Sequence, residues 1–530
     1  MTRTLPLKIS RRSLFGAGAT GLLLGSPHFA NANEKKRDRR PKNIIFCVAD
    51  GMAMSTVTMA NYYQQITAGR PSYWSTLLNE PYAVNGLQNT RSLNSLVTDS
   101  AAASSAWGSG RHIWNGQLNT YPDKTELRTL ASLMQEVGVR IGLVTTTTIT
   151  HATPAGFAIQ CIDRDLEGLI AEKYLKSGVD VLLGGGDKFF SPTARKDRRD
   201  LHAEFSTAGY TVVKTRQELM GVGNAKKLLG IFHDGHMPYT VDHKNSPELL
   251  AAKPTLAEMA GAALTLLQGS PKGFLLQIEG GKVDHGGHAN DLAALVYDQI
   301  AFEEAVKVAV DFALRDKETL VIITTDHACG GPSLNGAGEE YIDSAAGLAH
   351  LFGMKASYEP LFAAFGAAPT QARVRDTVHD LLGIALTGEE AEAVVSALHD
   401  ASPFAVSTFY KGPQATLAIV LGNYTKVTWT SQNHTSDHVL VTAVGPGNEA
   451  VAGLTPNVRF FDLMLATKGL KWSNPTMTFE EAARHYKALK ASRNLERYHL
   501  YAANDTMHPF ATSVPASALE GGIRVFRRQP

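Results

Sequence analysis

The sequence predicts an α/β fold: a three-layer sandwich whose central, mostly parallel sheet carries helices on both faces, with an insertion and a C-terminal extension added to it. Three observations lead there. Continuous apolar runs of strand length occur at Asn43–Ala49, Arg140–Thr145, Val179–Leu183, Gly273–Ile278, Leu320–Thr325 and Val439–Val444, the pattern of strands buried on both faces. Helical patterns separate most of them, among them Thr255–Leu267, where Thr255 and Glu258 form a capping box, and Leu292–Leu314. Polar, metal-capable residues then recur just past the strand runs, at Asp50-Gly51, Thr150 to Thr153, Glu279-Gly280-Gly281 and Asp326-His327. In a parallel sheet these positions fall at one end of the strands, where open α/β sheets place their sites.

The 530-residue chain is 44% hydrophobic and 19% charged, enough apolar material for one large domain or two to three ordinary ones. With 51 basic against 50 acidic residues, no cationic surplus points to nucleic acid or to an anionic membrane. Residues 1–32 read as a twin-arginine signal peptide: Ser10-Arg11-Arg12-Ser13-Leu14-Phe15 leads into an apolar run from Gly16 to Gly25 and then Ala30-Asn31-Ala32. The run is too short to span a bilayer, which takes about 20 residues. The expectation is therefore a periplasmic or secreted protein, exported by the twin-arginine route, with no membrane span. Cleavage removes four basic residues and no acid, leaving 47 basic against 50 acidic, net about −3.

Residues 33–42 form a charged, flexible leader, and the main domain spans 43–474. It is interrupted by an insertion at 336–430, with amphipathic helices at Gln371–Leu382 and Gly388–Leu398, the second capped by Thr387 and Glu390, and a strand at Thr416–Leu421. The extension, 475–530, starts a helix after Thr478. Both additions read as surface elaborations. Cys47, Cys161 and Cys329 are too few and too widely spaced for a disulfide framework or a CxxC zinc site, so any metal ligands must be His and carboxylates.

Four segments carry chemistry. Val97-Thr98-Asp99-Ser100 runs into Ala101-Ala102-Ala103-Ser104-Ser105-Ala106-Trp107, which sets Ser100 at a helix N-terminus. Exposed N–H groups and the helix dipole attract anions there, so Ser100 is either a nucleophile toward phosphorus or a cap. No GxSxG elbow supports a hydrolase triad. In Glu279-Gly-Gly-Lys-Val-Asp284-His285-Gly-Gly-His288, Asp284 and His288 are four apart and able to share one metal, with the nitrogen and oxygen donors that suit zinc. Asp326-His327 and His434-Thr435-Ser436-Asp437-His438 follow and precede strand runs. With Asp50 they complete six His or Asp ligands, enough for two metals about 3.5–4 Å apart, the clamp used in phosphoryl transfer.

In this order these segments resemble the alkaline phosphatases. The aspartate after the first strand, D-S-A-A, A-T-P, E-G-G-x-x-D-H, T-D-H and a late H-T recur from about Asn43 to Trp472, and Gly235-His236-Met237-Pro238-Tyr239 looks like the family's linking stretch. The resemblance implies hydrolysis of phosphate monoesters through a phosphoserine on Ser100. It implies two zinc ions, one on Asp284, His288 and His434 and one on Asp50, Asp326 and His327 facing Ser100. A third metal, usually magnesium, would sit on Asp50, Thr153 and Glu279. Arg164 matches the family arginine that grips phosphate, and Asp99 would orient it. Many members are dimers, which makes a homodimer an expectation. Two positions depart from the pattern of some members, which carry Asp and Lys where this chain has His151 and His285. His151 would ligate a metal or reach it through water, and His285 would contact phosphate or remain solvated. Histidine in many relatives is replaced here at Gly286 or Gly287, which would open one side of the entrance. A superfamily phosphodiesterase, or a phosphate- or metal-binding protein without turnover, is the alternative. The C-x-P-S-R motif of sulfatases is absent.

Overall fold

A computed structural model describes residues 40–410 and 412–491. The signal-peptide segment, nearly all of the leader and residues 492–530 lie outside the described residues. Ten strands form the main sheet: β1 Asn43–Ala49, β2 Ala83–Asn89, β3 Arg140–Thr148, β4 Val181–Gly185, β5 Thr211–Val213, β6 Leu228–Ile231, β7 Phe274–Gly280, β8 Thr319–Thr324, β9 Val439–Val444 and β10 Gly453–Pro456. Their order across the sheet is β10-β2-β9-β8-β1-β7-β3-β4-β6-β5. Seven neighbouring strands, from β8 to β5, pair in parallel, and β9 alone runs against both of its neighbours.

The centre of the sheet shows why the apolar runs are continuous. In β1, Ile45, Cys47 and Ala49 enter one hydrophobic layer while Ile44, Phe46 and Val48 enter the other. Every residue of β1 is buried, as the two-residue side-chain period requires when helices cover both faces. Phe46 packs at 4.9 Å from Trp107 and 5.3 Å from Phe157; truncating such a core ring to Ala costs about 3–5 kcal/mol.

Ten helices matter below: α1 Ser100–Ser109, α2 Ala152–Ala158, α3 Leu256–Leu267, α4 Lys282–Ala289, α5 Leu292–Asp316, α6 Tyr358–Phe365, α7 Gln371–Leu382, α8 Gly388–Leu398, α9 Pro413–Thr425 and α10 Phe479–Ala491. The capping boxes of α3 and α8 form as their sequences indicate. The expected strand at Thr416–Leu421 is instead the middle of α9. A short apolar run has no decisive periodicity, and Gly412 followed by Pro413 at the first helical turn is the signal that settles it.

The insertion is more than surface decoration. Leu361, Val374, Val378, Val394, Leu417 and Leu421 join the same hydrophobic layer as Ile45 and Cys47. The extension also docks: Tyr121 Oη donates to the Pro475 carbonyl at 3.1 Å, and the rings of Phe479 and Tyr486 stack on Trp114. The three cysteines are buried and free. Among the described residues, no helix is long and apolar enough to cross a membrane.

Candidate active site

The site gathers at the carboxyl ends of β1, β3, β7 and β8. The reversed direction of β9 brings its amino-terminal approach, with His434, to the same pole. Asp50 follows β1 directly, on a turn that Gly51 makes at φ +68°. A side chain at 51 would also run into Asp284, whose Oδ1 lies 2.3 Å from where a Cβ would stand. Glycine there lets two carboxylates approach over one backbone turn.

Ser100 opens α1. Asp99 is the N-cap, accepting from Ala102 N at 2.8 Å, so Ser100 is a first-turn residue rather than the cap itself. Its Oγ is buried, 3.3 Å from His327 Nε2 and 3.5 Å from Asp50 Oδ1. The second oxygen of Asp99 accepts from Gly116 N at 2.8 Å and from Arg164 Nη1 at 3.3 Å, while Arg164 Nη2 donates to His151 Nε2 at 3.0 Å. One carboxylate thus caps the helix that Ser100 opens and holds the guanidinium beside it.

Three groups of ligand atoms, each within 4.8 Å of one another, lie side by side: Asp284, His288, Cys329 and His434; Asp50, Asp284 and His327; Asp50, His151 and Glu279. In the first, His288 Nδ1 donates to the Gln432 carbonyl at 2.6 Å and His434 Nδ1 to that of Thr98 at 2.8 Å. These bonds turn both Nε2 atoms inward to 2.9 Å from each other, the orientation that metal-binding histidines take from their outer partners. Asp326 stands beside the second group, with Oδ2 3.1 Å from His327 Nε2 and Oδ1 accepting from Gly51 N and His327 N. Thr153 Oγ1 reaches Asp50 Oδ2 at 3.4 Å, beside the third.

The electrostatics call for cations. Burial holds Asp50 well above the usual carboxylate range, and Asp326, Asp284 and Glu279 reinforce it by repulsion. Glu279 is raised by burial too, against hydrogen bonds from Thr145 and Thr153. Burial pushes His434 down to about 3, with His327 adding to it. Against their burial, His288 and His434 hold Asp284, and His327 holds Asp326, below the usual carboxylate range, yet Glu279 Oε1, Asp284 Oδ1 and Asp326 Oδ2 accept no well-aligned hydrogen bond. Buried carboxylate oxygens without donors, converging with imidazole nitrogens, fit divalent metal ions.

All the residues singled out from the sequence therefore meet at one pole, including His285, whose ring packs 5.9 Å from His151. Gly286 and Gly287 do not widen the entrance: a Cβ at these positions would lie 2.7 Å from Leu295 N and 3.0 Å from Cys329 Cβ, so they allow α4 to pack closely. Cys329, set aside from the sequence because the metal ligands were expected to be His and carboxylates, lies among the first group of ligands. The buried Lys282 of α4 was passed over although it lies inside the quoted motif; its Nζ pairs with Glu359 of the insertion at 3.1 Å and sits 3.5 Å over the Tyr239 ring. His236, 4.5 Å from His285 between ring centroids, was legible only as part of a linking stretch. A cavity of about 540 Å³ opens above Ser100, Arg164 and His434.

Comparison with known proteins follows from this geometry. The alkaline phosphatase family profile matches residues 41–470. Alkaline phosphatase 3 of Bacillus subtilis is 31% identical over 479 residues, 86% of this chain and 94% of its own. The crystal structure of Thermus thermophilus alkaline phosphatase superimposes with a TM-score of 0.81 at 38% identity, covering 85% of this chain and 96% of that one. A cold-active alkaline phosphatase from Shewanella superimposes with a TM-score of 0.66 at 26% identity, covering 80% and 99%.

Proposed function

We propose, from the premise that this chain belongs to the alkaline phosphatase family and is a phosphoric monoester hydrolase that binds divalent metals, that it acts through a covalent phosphoserine on Ser100. The observation that carries this is the seat of Ser100 Oγ: at a helix N-terminus, between Asp50 and His327, on the floor of the cavity that Arg164 lines.

The dianionic phosphoryl group is drawn to the α1 N-terminus and to Arg164, whose two-pronged guanidinium pairs with phosphate oxygens. Asp99 keeps Arg164 in place before substrate arrives, so little ordering is left to the reaction. Divalent ions, when bound by these ligands, neutralise the phosphate and favour the deprotonated hydroxyl. Ser100 Oγ gives its proton to solvent and attacks phosphorus in line, the bond to the ester oxygen breaks, and the electron pair leaves on that oxygen, which takes a proton from water and departs as the alcohol. Water then attacks the phosphoserine, the Oγ–phosphorus bond breaks, and inorganic phosphate departs. Two in-line displacements retain configuration at phosphorus.

The mixed nitrogen and oxygen donors of Asp284/His288/His434 and Asp50/Asp326/His327 support two zinc ions. The oxygen donors of Asp50, Thr153 and Glu279 support magnesium, and the nitrogen of nearby His151 would admit a softer ion there. The twin-arginine motif supports export; replacing Arg11 and Arg12 by Lys would hold the protein inside the cell if that is its route, and unchanged export would rule the route out.

The test of the mechanism is turnover of a chromogenic monoester at alkaline pH by metal-loaded, chelated, reloaded and Ser100→Ala protein. Loss on chelation, recovery with zinc and magnesium, and a fall of orders of magnitude in Ser100→Ala are expected. Full activity of Ser100→Ala would end the proposal.

A further inference from the structure

The cavity above Ser100 is much larger than a phosphoryl group requires. At about 540 Å³ it lies within the range, about 300–1,000 Å³, of pockets that enclose a whole organic ligand. Its two ends differ. Ser100, Arg164 and His434 lie at the phosphate end. Tyr358, Glu359 and Phe362 of α6, and Gln414 of α9, line it from the insertion.

Tyr358 and Phe362 are four residues apart, so they share one face of α6, and their ring centroids are 5.7 Å apart. Tyr358 is buried and Phe362 is partly buried, and both line the cavity. This face is held firmly. Ser357 N and Oγ donate to the two oxygens of Asp242 at 2.7 and 2.6 Å, and Tyr358 N donates to Asp291 Oδ2 at 2.5 Å. Glu359 pairs with Lys282, three positions along the chain from His285, which lines the same cavity. A wall fixed at three points loses little freedom when a ligand covers it.

The charge of the cavity wall limits what fits. On the insertion side Glu359 is already paired with Lys282, which Tyr239 covers, and Asp165, next to Arg164 in sequence, adds a carboxylate to the lining. An alcohol bearing a further phosphate or carboxylate would meet negative charge with no unpaired cation on the wall that α6 supplies.

We propose that α6 of the insertion forms a leaving-group subsite, with Phe362 and Tyr358 as its apolar wall, that selects monoesters of uncharged alcohols carrying a flat apolar group. The inference rests on the phosphomonoesterase reading and specifies the alcohol half of its substrate.

The test compares kcat/KM for 3-phenylpropyl phosphate and propyl phosphate, whose leaving alcohols are nearly equally acidic, so that the ratio reads binding of the ring and not leaving-group chemistry. The wild-type holoenzyme should favour the phenyl ester by about tenfold or more, the discrimination that apolar pockets give. Phe362→Ala should bring the ratio to about twofold or less, while propyl phosphate turnover and inhibition by inorganic phosphate stay unchanged; Phe362→Leu should keep most of the preference. Equal kcat/KM in the wild type, or a preference that survives Phe362→Ala, overturns the subsite. If neither ester is turned over, the failure falls on the mechanism above, and calorimetric binding of 3-phenylpropylphosphonate against propylphosphonate still decides this one. Tighter binding of the phenyl compound that Phe362→Ala abolishes supports the subsite, and equal binding overturns it.

Discussion

At the carboxyl ends of β1, β7 and β8, four buried carboxylates crowd together: Asp50, Glu279, Asp284 and Asp326. Burial and mutual repulsion raise Asp50 and Glu279, and three of the oxygens accept no well-aligned hydrogen bond. Residues 172–204 are equally rich in charge but matched. Arg195 pairs with Glu172 and Asp197 at 2.8 and 2.5 Å, and Arg199 with Glu172 and Glu204 at 2.7 and 2.6 Å. Hydrogen bonds from Arg195 and Arg199 hold Asp197 and Glu204 below their ordinary values. The second cluster is complete as folded. The first is only half matched: His288 and His434 hold Asp284, and His327 holds Asp326, below the ordinary range, while Asp50 and Glu279 stay raised, and such a mismatch persists in folded proteins where function requires it.

The contrast breaks most sharply on metal removal. Chelation should abolish turnover and lower Tm, with both restored by reloading, because cations that bind only the folded site stabilise it by mass action. The pH dependence follows. Acids with raised folded pKa values cost stability above their unfolded values near 4 and are relieved as pH falls. The Tm gap between loaded and metal-free protein should therefore widen from about pH 5 to pH 8 as Asp50 and Glu279 ionise; a gap independent of pH would contradict the account of these two carboxylates.

Next in size is Arg164→Ala, which removes the proposed phosphate clamp. A loss of about 10²–10³ in kcat/KM is expected, the usual cost of a charge-stabilising donor. Loss of Tm with kcat/KM unchanged would show Arg164 to be structural. In the matched cluster, Glu172→Ala should lower stability by about 1–3 kcal/mol in chemical denaturation, chiefly because it takes one carboxylate partner from the buried Arg195 and one from the partly exposed Arg199, and should leave kcat unchanged in the loaded enzyme. The smallest effect belongs to Asp187, lowered chiefly by its hydrogen bond from His202 at 2.7 Å. As a depressed acid it contributes stability that is present above pH 4 and lost below it, so Asp187→Asn should flatten the acid limb of a Tm–pH profile without moving the alkaline one.

Much of this was legible in the sequence. The sheet could be read because β1, β7 and β8 are apolar on both faces, and the site because Asp50, Glu279 and Asp326 stand at strand ends, where a parallel sheet must bring them together. Local chemistry placed Ser100 at a helix start, since Asp99 and the small residues after it mark one, but left open whether it caps the helix or attacks phosphorus. What escaped depended on distant partners. Nothing near Lys282 announces Glu359, 77 residues away in sequence, and Cys329 looks inert until the His288 helix lies over it. The run at Thr416–Leu421 was ambiguous because it is too short to show a period. Gly286 and Gly287 looked like open space because the close approach of Leu295 and Cys329 is a tertiary fact.

The measurement that reaches the centre of the account is acid quenching during turnover of a ³²P-labelled monoester, followed by peptide mapping. Label on the peptide that contains Ser100, absent from Ser100→Ala, is the predicted result. Steady turnover with no labelled serine, in protein that retains its metals, would contradict the covalent mechanism.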